Sequence, residues 1–133
     1  MKLEVEGGRL TLGDARVRYN SAYLSEDDFV RLLDYWLSRL RAVDSTADPE
    51  FLPFSIDDEF VEAFEAHSTG LEIELRVVKL DNCGYVHGVD PLFESMFGEI
   101  VVVETYPEPI LTCTIGELIE AIVDWLGRHR RTA

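Results

Sequence analysis

The chain has 133 residues, a length that suits one compact unit, so we expect residues 1–133 to form a single domain. Hydrophobic residues make up 47% of the composition and aromatic residues 11%, which excludes a disordered tail, a collagen-like repeat and a disulfide scaffold. The 26 Asp and Glu residues outnumber the 12 Lys and Arg residues, and the net charge of −14 repels phosphate backbones and anionic membranes. We therefore expect neither nucleic acid nor a membrane as a partner.

The first twenty residues predict a three-stranded antiparallel meander. Gly7-Gly8 and Gly13-Asp14 separate three short alternating segments, and such pairs reach the positive φ angles that two-residue hairpin turns require. The turns set Glu6 opposite Arg9, Glu4 opposite Thr11, and Leu10 opposite both Val5 and Val17. One face of this sheet is then apolar and the other carries mixed charge.

A helix is predicted from about residue 25 to 41. Ser25 and Asp28 have the spacing of a capping box, and Arg39 and Arg41 complement the negative end of the helix dipole. The apolar side chains recur with helical spacing at Phe29, Leu32, Leu33, Trp36, Leu37 and Leu40. We interpret Trp36 as a core residue because an aromatic side chain in such a stripe is usually buried.

The middle of the chain is harder to interpret. Residues 42–50 have the composition of a loop, and residues 51–54 predict a short strand whose Pro53 suits a sheet edge. Over residues 55–67, acids after Ser55 and apolar residues on one helical face favour a helix. The alternative is a strand that turns through Ser68-Thr69-Gly70 onto the alternating strand at residues 71–77.

Residues 81–98 are predicted to be irregular, with one helical turn after Pro91. The apolar run at residues 100–103 predicts a strand that is covered on both faces or lies in the middle of the sheet. A last helix, from about 115 to 128, begins at the capping box of Thr114 and Glu117. The fold class predicted is α+β. We expect an antiparallel sheet beginning with the meander, and the two main helices, about 25–41 and 115–128, packed on one face.

The excess negative charge lies in the middle of the sequence. Residues 44–108 hold 16 acids and 2 bases, whereas the two ends are balanced. We expect these acids to gather on one exposed patch that binds a basic protein. The alternative is that they serve solubility or adaptation to salt, and solubility is the simpler explanation of any single acid. The partner-binding residues predicted for this patch are Asp57, Asp58, Glu59, Glu62, Glu65, Glu72 and Glu74.

A second candidate site is the glycine-bracketed loop that holds Cys83, Tyr85 and His87. A thiol near an imidazole suits a nucleophile or a zinc ligand, but no orienting third group or zinc spacing accompanies it. A half-buried thiol and a loop histidine explain these residues without any function. We predict no metal and no cofactor.

The motifs of nucleotide-binding loops, serine hydrolases and zinc proteases are missing, so no catalytic residue is predicted. The function predicted is that of a non-catalytic acidic interaction domain, an inhibitor or immunity-type protein that neutralises a basic partner such as a nuclease. The alternative is a small enzyme or ligand-binding domain that uses the Cys83–His87 loop. A third interpretation is a subunit whose assembly buries a sheet edge or the apolar strand at residues 100–106.

The first residues, Met1-Lys2-Leu3, lack the apolar segment of a secretion signal, and no apolar run is long enough to span a membrane. Two cysteines are too few for a disulfide framework. These features predict a cytoplasmic location.

Overall fold

A computed structural model describes residues 1–42, 48–82, 88–96 and 100–130 of the chain. It contains antiparallel strands and three helices, which confirms the α+β class. The elements are β1 (Leu3–Glu6), β2 (Arg9–Leu12), β3 (Ala15–Arg18), α1 (Asp28–Ala42), β4 (Glu50–Ile56), β5 (Phe60–Ser68), β6 (Glu72–Asp81), α2 (Val89–Met96), β7 (Val102–Thr105), β8 (Leu111–Thr114) and α3 (Ile115–Arg130).

The first three strands form a separate sheet, in the order β1-β2-β3, which we call the small sheet. Its register is the predicted one, with Glu6 opposite Arg9 and Leu10 opposite Val5 and Val17. Gly7 and Gly13 take φ angles of 58° and 60°, as the two-residue turns require. The inner face of the small sheet is buried and its charged outer face is exposed.

The remaining strands form the large sheet, in the order β4-β5-β6-β7, and β8 also pairs with β6. β4 lies at one edge and contains Pro53, so the predicted edge strand is confirmed. β6 pairs with β8 along its first half and with β7 along its second half. The segment at residues 106–110, which includes two prolines, connects these two strands.

The helix expected over residues 55–67 is wrong, because this segment is the central strand β5. Val61 and Ala63 are buried on one face of the strand, and Phe64 and Ala66 on the other. Burial on both faces removes the alternation that identifies a strand. The hairpin alternative is correct: the Thr69 N–H donates to the Glu72 carbonyl at 2.8 Å.

Both main helices begin at reciprocal capping boxes. The Asp28 N–H donates to Ser25 Oγ at 3.2 Å while Asp28 Oδ2 accepts from the Ser25 N–H, and Thr114 and Glu117 repeat this exchange at α3. α1 packs against α3 and β4, and α3 packs against β1. The third helix, α2, begins before Pro91 and is longer than the single turn predicted after it.

The core forms where the helices meet the two sheets. Trp36 is fully buried, as predicted, and its Nε1–H donates to the Pro53 carbonyl at 2.8 Å. The Trp36 ring packs edge-on against the Phe64 ring, with 5.7 Å between the ring centroids. The Phe64 ring also packs against the Phe54 ring, with 4.7 Å between the centroids. Part of the loop predicted over residues 42–50 lies outside the described residues.

Candidate functional site

The turn between β4 and β5 carries three of the predicted partner-binding acids, Asp57, Asp58 and Glu59. Asp57 Oδ1 accepts the N–H groups of Glu59 at 2.9 Å and Phe60 at 2.6 Å. An Asp at a helix N-cap accepts the N–H groups two and three residues further on in the same way, and here the pattern closes a hairpin turn. This similarity explains why the acids of this segment favoured a helix start. The Asp57 carboxylate therefore stabilises the turn.

Two neighbouring residues fix the same turn from outside. The buried Asn82 donates its side-chain amide to the Asp57 carbonyl at 2.9 Å and its N–H to the Glu59 carbonyl at 3.1 Å. The Tyr23 hydroxyl donates to Asp58 Oδ1 at 2.5 Å, and this hydrogen bond raises the pKa of the Tyr23 phenol. The turn is consequently held rigidly, with Asp58 and Glu59 exposed.

Glu62 and Glu65 lie on opposite faces of β5, because residues three apart on a strand point to opposite sides. Glu62 is directly opposite Lys79. Burial raises the pKa of the Glu62 carboxyl, and the opposing effect of the Lys79 charge is smaller, so the pKa is raised overall. Glu65 contacts the His67 imidazole and lies opposite Arg76. The helix predicted over residues 55–67 would have placed Asp58, Glu62 and Glu65 on one face, and the strand does not.

Glu72 and Glu74 belong to β6, at the end of the hairpin remote from the turn at Asp57. Nine residues of β5 separate the two ends, roughly 30 Å at the rise of an extended strand. The Glu74 carboxylate pairs with Arg76 at 3.1 Å. The structure thus divides the seven acids among the turn and both faces of the large sheet, and the prediction of one patch is wrong. Their role in partner binding stays a prediction.

The second candidate site, Cys83, Tyr85 and His87, lies outside the described residues and stays a prediction. The other cysteine, Cys113, is a buried free thiol on β8, where burial raises its pKa to about 11. It is therefore a neutral, unreactive thiol at physiological pH. In the described part of the chain, no three His, Cys, Asp or Glu side chains are grouped closely enough to hold a metal ion.

Among the described residues, the largest group of exposed apolar side chains lies at β7 and its flanks, where a covered strand was expected. All four residues of Val102–Thr105 are exposed, and Val101 and Tyr106 on either side are exposed as well. β7 is bonded to β6 on one side, where the Tyr106 N–H donates to the Val77 carbonyl at 3.0 Å. No described strand pairs with its other side. Within the described residues β7 is therefore an open apolar edge, and its exposure shows that the prediction of a covered strand is wrong.

Two features of the sequence indicate that the strand at residues 100–103 lies at an exposed edge. Pro107 and Pro109 follow the strand closely, and prolines accompany sheet edges rather than sheet centres. In addition, the predicted elements include only two long helices, which are too few to cover both faces of every strand.

A groove of about 510 Å³ lies between β3 and the large sheet. Phe54, Val77 and Ile110 contribute apolar surface, and Arg16 and Arg18 line it from β3. Glu62, Tyr106 and Glu108 supply its other polar groups. The sequence carries no local signal of this groove, because its walls come from segments far apart in the chain.

Comparisons of the chain with protein-family models, with curated proteins and with solved structures return no match. Within the described segments, no helix combines the length and the apolar character needed to cross a membrane. The candidate function therefore depends on the surfaces described above.

Proposed function

We propose that this chain is a non-catalytic interaction domain that binds a basic protein through the open edge of β7. The observation that carries the proposal is the exposure of all four β7 residues beside an edge that no described strand covers. Monomeric proteins usually protect such edges, because unpaired N–H and C=O groups pair readily with another chain. Addition of a strand from a partner to β7 would satisfy these groups and cover the valines.

The charge around β7 favours a basic partner. β7 belongs to the segment 44–108, which holds 16 acids and only 2 bases. Glu104 lies on the strand itself, where it pairs with Lys79 at 3.9 Å and keeps about half its side chain exposed. Asp81 and Glu108 are exposed nearby. A cationic strand would be attracted to this edge over several ångströms before it makes any contact.

The same charges disfavour pairing between two copies of the chain. Each copy has a net charge of −14, and antiparallel pairing of two β7 edges would bring the two Glu104 side chains close together. Like charges at such positions destabilise a sheet. We therefore assign the edge to a different, basic protein, and inhibition of a nuclease by this contact is the specific form of the proposal.

A peptide titration tests the assignment. The probes are two short synthetic peptides of identical length, one alternating valine with lysine and the other valine with glutamate. We expect the lysine peptide to bind more tightly by at least about tenfold at low salt, with an affinity that decreases as salt is added. Equal binding of the two peptides, or no binding of either, would contradict the proposal.

The valines on β7 and on α3 provide a matched pair of variants. Val103 is 52% exposed on β7 and Val123 is 48% exposed on α3, so both substitutions place lysine at an exposed valine. We expect Val103→Lys to weaken binding of the lysine peptide strongly, while Val123→Lys leaves it unchanged. Equal losses in both variants would indicate a general charge effect and not a contact at β7.

A further inference from the structure

The outer face of the small sheet carries three arginines on neighbouring strands. Arg9 on β2 lies directly opposite Arg18 on β3, and Arg16 lies two residues before Arg18 on the same face. Side chains at opposite positions begin about 5 Å apart, and those two residues apart along a strand about 7 Å. The three guanidinium groups can therefore contact one small ligand.

None of these three arginines has an ion pair among the described residues. Glu6 lies directly opposite Arg9 but forms no ion pair with it in the described structure, and Glu4 pairs with Lys2 at 2.9 Å. Six other basic residues have carboxylate partners: Lys2, Arg31, Arg76, Lys79, Arg128 and Arg130. A chain with 26 acids does not lack counter-charges, so the unpaired arginines are a local feature of this face.

Arg9 and Arg18 form a like-charge pair directly across two strands, which destabilises the sheet. The repulsion would be relieved by an anion placed between them. Guanidinium groups bind phosphate oxygens through two parallel hydrogen bonds, a geometry that lysine does not offer. The arrangement therefore suits a phosphate group.

Two cavities adjoin β3. A depression of about 580 Å³ over the outer face is lined by Arg9, Thr11, Arg16 and Arg18, and one carboxylate, that of Glu4, lines it as well. Arg16 and Arg18 also line the groove of about 510 Å³, whose lining includes Tyr106. Because these two arginines belong to both cavities, a ligand whose phosphate contacts them can place an attached ring in the groove.

We propose that this region binds a small organic phosphate, with its phosphate on Arg9, Arg16 and Arg18 and its ring in the groove against Tyr106. The ring would pack on the apolar walls, and the carboxylate of Glu62 would accept a hydrogen bond from an amino or hydroxyl substituent.

The charge distribution limits the ligand to a small molecule. A long polyanion such as nucleic acid would extend from the small sheet to the acidic surfaces elsewhere on the chain, whose net charge is −14. Charges farther away than about 8 Å are largely screened at physiological salt. A small phosphate therefore senses mainly this face, where the three arginines outnumber the two carboxylates of Glu4 and Glu6.

Binding of inorganic pyrophosphate and of phenyl phosphate, measured by calorimetry, tests the site. We expect both probes to bind the parent chain, and Arg16→Gln and Arg18→Gln each to weaken binding by about tenfold or more. Arg41→Gln is the control, because Arg41 is exposed at the end of α1 and its loss changes the net charge equally. Circular dichroism establishes that each variant is folded, and Arg18→Lys tests the guanidinium fork if the glutamine variant unfolds.

A variant of the groove separates the phosphate from the ring. We expect Tyr106→Ala to weaken phenyl phosphate and to leave pyrophosphate unchanged. Absence of binding by both probes at millimolar concentration, or an equal loss in Arg41→Gln, would overturn the site. A Tyr106→Ala variant that binds both probes as the parent does would overturn the placement of the ring.

Discussion

The small sheet and β7 expose opposite kinds of surface although both are built from four-residue strands. In the small sheet the leucines are buried and the charged residues face outward, whereas in β7 the valines themselves are exposed. An apolar residue is buried only where another layer covers it, and α3 supplies that layer for β1. The comparison shows that apolar character predicts a strand, but that burial depends on what packs above it.

The largest expected effect comes from shortening one apolar side chain in each region. Leu10 in the small sheet is fully buried, so Leu10→Ala should lower the free energy of unfolding by about 2–5 kcal/mol. Val103→Ala should change it by less than about 0.5 kcal/mol, because half of that side chain is already in water. Urea unfolding measures both values. Similar losses in the two variants would show that β7 is covered.

The sequence predicts the small sheet and the helix starts because these depend on neighbours in the chain. The turns at Gly7 and Gly13 set the register, and the capping boxes at Ser25 and Thr114 involve residues three apart. The conformation of β5, and with it the position of the predicted acids on β5, depends on contacts with residues far away in the chain. Phe64 is buried by Trp36 and Phe54, and no local pattern reports that contact.

The division of the acids has the same cause. A helix over residues 55–67 would place Asp58, Glu62 and Glu65 together, whereas a strand separates them between a turn and two faces. The expectation that these three acids lie together therefore depended on the wrong periodicity. The arginines of the small sheet were predictable in position, but their lack of partners became visible only in three dimensions.

A smaller effect of opposite sign is expected in the small sheet. Arg18→Gln removes the like charge opposite Arg9, so the chain without ligand should gain about a few tenths of a kcal/mol in stability. The gain should shrink at high salt, which screens the repulsion already present in the parent. Thermal unfolding at two salt concentrations measures it, with Arg41→Gln as the control. A clear loss of stability at low salt would mean that Arg18 has a stabilising partner.

The smallest effect concerns Glu62, which lines the groove between the two sheets. Burial raises the pKa of Glu62 above its ordinary value of 4.5, so the folded chain holds this proton more tightly than the unfolded chain. Ionisation of Glu62 therefore disfavours the folded state at neutral pH. Glu62→Gln should be slightly more stable than the parent at pH 7.

The pH dependence checks the sign of this prediction. The advantage of Glu62→Gln should decrease as the pH falls through the raised pKa of Glu62, and it should vanish below 4.5, where the carboxyl is protonated in both states. Glu120→Gln, an exposed position on α3, is the matched control. An advantage that is constant with pH would argue against a desolvated carboxylate.

Amide hydrogen exchange with and without the lysine–valine peptide tests the central claim most directly. We expect the peptide to slow exchange at residues 101–106 of the open edge, while the amides of β1 to β3 keep their rates. Protection confined to the turn at Asp57, Asp58 and Glu59, or unchanged exchange throughout β7, would contradict the assignment of β7 as the binding edge.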